Sequence, residues 1–241
     1  MVNKIINKIA FLADDIIRDV PLVEQHCHTD FTDGNNSVQE MIQSAIDKGL
    51  NRIVITEHVQ SGSPWTSKFI NEVESLKLKF SDQINIEYGF EAKLINYDGE
   101  IDIKSSLLRS APLILGAVHG YVIDGESCKF HDFDDITTDE ALELEIRGIE
   151  ALTKNKYVDI IAHPLGVFER RFGPAPLNAY GRVIELIKKS DKVFEINSKY
   201  HRRPADLLRL CAKHQIKVSF GSDAHDIERV GYACRIMGVR K

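Results

Sequence analysis

Two histidines two residues apart, His26 and His28 in VEQHCHTDFTDG, end a run that reads as a strand. Strand side chains alternate faces, so both imidazoles point one way and Cys27 points the other, towards packing. Ring nitrogens buried without partners are costly, and a divalent metal ion suits two of them on one face. Taken alone, H-x-H fits two satisfied surface histidines equally well. The pattern recurs, however. His58 ends RIVITEH, Glu91 follows IEYGF, His119 ends LILGAVH, His163 ends VDIIAH, and Asp223 with His225 closes VSFGSDAH. Each follows an apolar run, where an unpaired ionisable group is expensive. By contrast, His131, His201 and His214 fall in loop or helix and read as surface residues.

Imidazoles and carboxylates without a cysteine among them select zinc, manganese or iron over soft-metal or calcium sites. The set is too large for one ion and predicts two or three divalent ions, with a carboxylate bridging. Adjacent ions polarise a phosphoryl oxygen, steady attacking and leaving oxygens, and lower the pKa of a bound water to about 7. That is chemistry for a phosphate ester, whose uncatalysed hydrolysis is among the slowest reactions known.

The elements that must position these residues alternate. Apolar strand candidates LVEQHCH, NRIVITEH, INIEYGFEA, PLILGAVH, YVDIIAHP, KVFEINS and IKVSFGSDAH are mostly followed by helical patterns such as SVQEMIQSAIDKGL and PADLLRLCAKH. A further helix is expected near IERVGYACRIM. Alternation implies parallel strands joined by crossovers, and runs such as IVIT and LILGAV fit strands covered on both faces. A closed barrel and a doubly wound open sheet both satisfy this pattern. Only a barrel gathers the strand ends at one mouth, so the α/β barrel is the expectation. Residues 1–241 are expected to form one domain, with 1–20 an amphipathic helix packing Ile5, Ile9, Leu12 and Ile16 on the barrel.

The net charge of −5 argues against a general nucleic-acid binder. Cys27, Cys128, Cys211 and Cys234 are scattered without a C-x-x-C pair and read as reduced thiols. No stretch has transmembrane length and the N-terminus does not read as a signal peptide, so a cytoplasmic protein is expected. The oligomeric state stays open.

HCHTDFTDG, TEH, GFEA, AVH, AHP and GSDAH, in that order, resemble the motifs of the PHP superfamily, the polymerase and histidinol phosphatase domains. The resemblance runs from about residue 22 to 226. It implies a distorted, TIM-like (β/α)7 barrel with a trinuclear centre. One ion would take His26, His28, Glu91 and Asp223, and a second would share Glu91 with His119 and His163. The third would use His58 and His225, with Asp33 a further candidate where other members place a histidine nearby. Asp33 fits a turn-forming residue before Gly34 equally well.

A phosphate dianion needs cations besides metals. Arg170 and Arg171 after the fifth strand, and Lys199, Arg202 and Arg203 after the sixth, are expected in loops on the mouth side. Lys93 is a further candidate. The segment GYVIDGESCKFHDFDD carries Asp124, Glu126, Asp132, Asp134 and Asp135, an acidity that would favour a substrate bearing an amine.

The expected partner is therefore a small phosphorylated metabolite, with no nucleic acid and no membrane. The expected reaction is a histidinol-phosphatase-like release of phosphate, by attack of a metal-bridging hydroxide in line with the leaving alkoxide. Asp223 would orient or deprotonate the nucleophile, with His225 as its catalytic neighbour. The T-D-G form of the first motif looks closer to PHP domains attached to polymerases or acting on nucleotides. A phosphodiesterase, a nucleotide phosphatase or an exonuclease is thus the alternative. The Leu-Pro that follows the second histidine in tyrosine phosphatases of the superfamily is absent, and no ligand position is degenerate as in a non-catalytic binding protein.

Overall fold

The computed structural model describes residues 5–123, 126–127 and 136–238. The chain begins with α1 (Ile6–Ile9), β1 (Phe11–Leu12), α2 (Ala13–Arg18), β2 (Val23–Cys27), α3 (Val38–Asp47), β3 (Arg52–Val59) and α4 (Thr66–Lys79). It continues through β4 (Asn85–Lys93), α5 (Ser105–Ser110), β5 (Ile114–Ala117), a small hairpin of β6 (Val122–Ile123) and β7 (Glu126–Ser127), and α6 (Thr138–Lys154). The last third holds β8 (Ile160–Ile161), α7 (Gly166–Phe172), α8 (Leu177–Lys188), β9 (Val193–Asn197), α9 (Pro204–His214), β10 (Lys217–Gly221) and α10 (Tyr232–Gly238).

Local chemistry sets the main helices. Ser37 and Glu40 cap each other's backbone at the start of α3, and Thr137 and Glu140 do the same for α6. From that start α3 buries Val38, Met41, Ile42 and Ala45, one stripe at helical spacing. Similar stripes on α4, α8 and α9 cover the outside of the sheet.

All seven expected strands form, and they pair in parallel in the order β2-β3-β4-β5-β8-β9-β10. The curled sheet meets itself just beyond the ends of β2 and β10. There Cys27 bridges Ala224, and the His28 amide donates to the Ala224 carbonyl at 2.8 Å. The result is the distorted seven-stranded barrel, closed at its seam by a single bridge where the neighbouring strands pair along ladders. Val54, Leu113, Leu115, Ala117, Ile160, Ala162 and Val193 form its inner apolar layer, separate from the larger core between sheet and helices.

The described part of the N-terminal segment, residues 5–20, does not form the single helix expected of 1–20. Ile5 and Ile9 join the inner layer of the barrel, whereas Leu12 is 48% exposed. Extended backbone at Ala10 and Leu12 separates two short helices, and Phe11–Leu12 pairs antiparallel with Val218 and Lys217 on the free edge of β10. An unpaired sheet edge offers a row of backbone donors and acceptors, which outweighs two more helical hydrogen bonds. The closing helix also starts late, at Tyr232. Gly231, at φ 72°, donates its amide to buried Glu24 at 2.8 Å, which turns the chain before α10. Among the described residues, no helix is long and apolar enough to cross a membrane.

Candidate metal centre

The strand ends do gather at one mouth, and Glu91 stands at the middle of what they carry. Its Oε1 lies 2.8 Å from His163 Nε2 and 3.1 Å from His119 Nε2. Its Oε2 lies 2.7 Å from His58 Nδ1, 3.5 Å from His26 Nε2 and 3.6 Å from His28 Nε2. Asp223 approaches from the other side, with Oδ1 3.0 Å from His28 Nε2 and 3.9 Å from His26 Nε2. Asp33 Oδ2 closes the outer edge, 3.2 Å from His225 Nε2 and 3.5 Å from His58 Nε2. Every residue expected as a ligand, Asp33 included, is therefore in one cluster.

Backbone turns aim two of these side chains. His163 at φ 28° and Asp223 at φ 49° adopt left-handed conformations that non-glycine residues enter at a cost of about 1–3 kcal/mol each. Each lies two residues past the end of its strand, β8 or β10, so the strain is local to the site.

The donor set fits divalent cations. Glu91 Oε2 and Asp223 Oδ1 are buried with no donor aligned on either, although imidazole nitrogens stand 2.7 and 3.0 Å away. His26 Nε2 and His28 Nε2 face each other at 3.1 Å, where at most one can donate. Lone pairs converging on lone pairs are what a cation between them resolves. Three triads have ligand atoms within 4.8 Å of one another: His28–His58–His225, His26–His28–Glu91 and His58–Glu91–His119.

Electrostatics agree. Burial alone would raise Glu91, but His119, His26 and His58 hold its carboxyl well below the usual range. Asp223 is held down in the same way, by His28 and His26 against burial. Burial and the neighbouring His58 lower His28 to about 4, leaving it neutral and ready to coordinate. His58 is pushed up to about 10, Glu91 and Asp33 overcoming burial, so an ion taking that ring displaces a proton.

Three carboxylates behind the cluster escaped the sequence reading. Glu195 Oε1 is 2.7 Å from His26 Nδ1, and its Oε2 accepts from the His163 amide at 2.6 Å. The first contact fixes the His26 tautomer so that Nε2 faces the cluster, an outer support that metal-binding histidines commonly have. Gly221 makes room for it: a Cβ there would meet Glu195 Oε1 at 2.2 Å and His26 Cβ at 2.5 Å. Glu24 accepts from the amides of His26 and Ser222, both at 3.0 Å, and so ties the two sides of the seam. Glu57 accepts from the Thr29 amide at 2.9 Å and shapes the turn after His28.

Above the cluster opens a cavity of about 230 Å³, lined by Asp33, His58, His119, His163, Val167, Arg170, Lys199, Tyr200, Asp223 and His225. Of the five expected phosphate-binding residues, Arg170 and Lys199 line it, and Arg171, Arg202 and Arg203 do not. Arg171 lies over the Phe172 ring, and Arg203 donates to the Ala175 carbonyl at 2.9 Å. Arg202 is exposed, and its backbone amide donates to Glu169 at 2.7 Å. Lys93, at the end of β4, is not on the cavity wall either. Tyr200, whose ring lies 4.5 Å from that of His163, supplies an aromatic wall that the sequence reading did not single out.

Arg170 and Arg171 lie on α7 rather than in a loop. This helix is held by buried acids: Glu145 of α6 accepts from the amides of Val167 and Phe168 at 3.1 and 2.7 Å. Glu169 accepts from the Ala175 amide at 3.0 Å and the Tyr180 hydroxyl at 2.9 Å. Burial pushes the Glu145 carboxyl up to about 8 against its two amides. The folded chain then keeps a proton that the unfolded chain, near 4.5, has released. The associated stability is complete below that lower value and is lost as pH rises through the upper one. Urea denaturation at pH 5 and pH 9 is expected to show Glu145→Gln losing less stability over this span than the native chain. Equal losses would remove Glu145 from the account.

His201, read as a surface residue, is buried, with its Nδ1 accepting from the Asn197 amide and its Nε2 meeting the Pro164 carbonyl, both near 3.0 Å. It links the loops after β8 and β9. His214 pairs with Glu185 near the surface, as expected. Cys27, Cys211 and Cys234 are buried free thiols. Cys128, His131, Asp124, Asp132, Asp134 and Asp135 lie outside the described residues, and so does the side chain of Glu126.

Fold and site together define an α/β barrel that gathers a cluster of metal-competent side chains from its strand ends at the mouth. Comparisons with known proteins narrow this. The PHP domain model matches residues 24–199. A protein of Caldicellulosiruptor bescii named a probable phosphatase is 28% identical over 84% of this chain and 79% of its own length. A DNA polymerase/3'-5' exonuclease of Bacillus subtilis is 25% identical over 84% of this chain but 34% of its own. The solved structure of histidinol phosphate phosphatase from Lactococcus lactis, complexed with zinc, L-histidinol and phosphate, shares the fold. Its TM-score is 0.71 at 19% identity, covering 90% of this chain and 91% of that one.

The chain belongs to the PHP domain family. It is a metal-dependent phosphoesterase of that family. Asp223 and His225 lie beyond the matched stretch, so their place in the cluster rests on the geometry.

Proposed function

We propose that the protein releases phosphate from a small phosphomonoester, as a histidinol phosphatase does. The observation that carries this reading is the small cavity over the cluster, lined by Arg170 and Lys199 together with the ligands. About 230 Å³ suits a phosphoryl group and a compact alcohol better than a nucleic-acid strand. Two or three divalent ions (zinc, manganese or iron) held by His26, His28, Asp33, His58, Glu91, His119, His163, Asp223 and His225 would supply Lewis acidity and an acidified water.

The protein's own residues do the rest. Arg170 grips two phosphoryl oxygens with its fork, and Lys199 adds a mobile point charge. Asp223 and His225 orient the attacking water and hold the proton that passes to the leaving alkoxide. Tyr200 and Val167 shield that alcohol from solvent. The L-histidinol and phosphate bound by the Lactococcus lactis protein make the phosphate of an amino alcohol the first compound to offer.

The test is phosphate release from small monoesters, diesters, a phosphotyrosine peptide and single-stranded DNA. One strongly preferred small monoester is expected. Turnover confined to diesters or DNA would overturn the reading. Arg170→Ala is expected to raise KM for that monoester about 10- to 100-fold with metal content unchanged, since a charge-assisted hydrogen bond is worth about 1.5–3 kcal/mol. Steady-state kinetics with elemental analysis checks both halves, and an unchanged KM would take Arg170 out of the phosphate site.

A further inference from the structure

The ligand cluster divides by depth. The side chains of His26, His28, Glu91 and Asp223 are between 0% and 4% exposed. Those of Asp33, His58 and His225 are 55%, 33% and 22% exposed and form the outer rim. A cation belonging to the chain stands at that rim. Lys199 Nζ lies 2.9 Å from Asp223 Oδ2 and 3.4 Å from His225 Nδ1.

The two oxygens of Asp223 therefore face different partners. Oδ1 looks inward to His28 and His26, while Oδ2 looks outward to the ammonium. His225 Nδ1 is 2.9 Å from the Asp223 carbonyl oxygen, which places its proton there and leaves the Nε2 lone pair towards Asp33. His225 is thus a competent outer ligand, with a positive charge resting against its far side.

We propose that Lys199 is an internal competitor of the outermost metal ion. The inner residues bind their metal more tightly, because they are almost fully buried and the ammonium touches them only at the outward oxygen of Asp223. The outer ion, which His58, His225 and Asp33 would hold, meets the Lys199 ammonium across the His225 ring, whose Nδ1 lies 3.4 Å from Nζ. Like charges this near weaken its binding by at least about tenfold, even in a partly solvated setting. The four-carbon stem lets the ammonium swing to a phosphoryl oxygen in the cavity when substrate arrives. Lys199 thereby makes the outer ion exchangeable while the inner metal stays put. The inference rests on the metal-centre reading given under the proposed function.

The experiment needs no substrate. Protein stripped with chelator is titrated with Mn2+, and free Mn2+ is counted by electron paramagnetic resonance. The native chain is expected to show a tight class of site and a weaker one. Lys199→Met, similar in length and uncharged, is expected to bind the weaker class at least about tenfold more tightly. Lys199→Arg keeps it weak, and the inner class stays the tighter of the two in all three. Lys199 is 37% exposed, so neither change should disturb folding, and circular dichroism checks this. An unchanged or weakened outer class in Lys199→Met overturns the proposal while leaving the metal centre intact. Absence of Mn2+ binding in all three proteins overturns the metal centre itself and the proposal with it.

Discussion

Glu91→Gln is expected to leave the barrel folded and to abolish turnover, with phosphate release falling about a thousandfold or more. The side chain is 1% exposed, and its two oxygens face the imidazoles of His163 and His119 on one side and of His58, His26 and His28 on the other. Glutamine fills the same space but removes the charge, and turns an N–H2 group towards ring nitrogens that need a cation or a carboxylate. Lewis-acid stabilisation of a phosphoryl transition state is worth several kcal/mol, and each 1.36 kcal/mol is a factor of about ten. Elemental analysis of the purified variant should show less metal than the native chain, and added metal should not restore the rate. A variant with native metal content and activity within tenfold would sink the bridging role.

Glu195→Gln should behave differently, and the difference is diagnostic. Glu195 lies behind the cluster, holding the His26 Nδ1 proton and the His163 amide. Loss of such outer support typically costs about 10- to 100-fold in metal affinity or activity. The deficit should shrink as metal is added, because the coordinating atoms themselves remain. Metal titration of activity in native chain and variant reads this directly: the variant's midpoint shifts to higher metal with a near-native plateau. An unshifted midpoint would make Glu195 a packing residue only.

Much of this was legible because the strands announce themselves. IVIT and LILGAV are apolar throughout, each ends in an ionisable residue, and parallel barrels bring such ends together. Glu195 escaped notice for the opposite reason: it lies inside KVFEIN, where its position marks it as part of the strand. The available signal was a carboxylate within a run buried on both faces, which must have a partner inside the barrel. Glu145 offered no such clue. It lies on α6 and caps a seven-residue helix twenty residues further on, a tertiary contact that no local pattern encodes. Without that cap, LGVFERRFG reads as loop, which is why Arg170 and Arg171 were expected in one. The break in residues 1–20 was hidden likewise, since only the finished sheet shows that β10 has an edge for Phe11 and Leu12 to cover.

The thin seam sets an order of events. His26 and His28 leave the ribosome almost two hundred residues before Asp223 and His225, on the opposite side of the joint. A nascent chain therefore carries His26, His28 and Glu91, three of its four innermost ligands, through much of synthesis and cannot complete the set. Only when the final strand docks does Asp223 join them, and an ion captured there would tie the first strand to the last. Metallation would then fasten the finished barrel beside the backbone bridge between Cys27 and Ala224. Truncation just before Asp223 should thus yield an open chain that retains less metal than the native one, which elemental analysis checks.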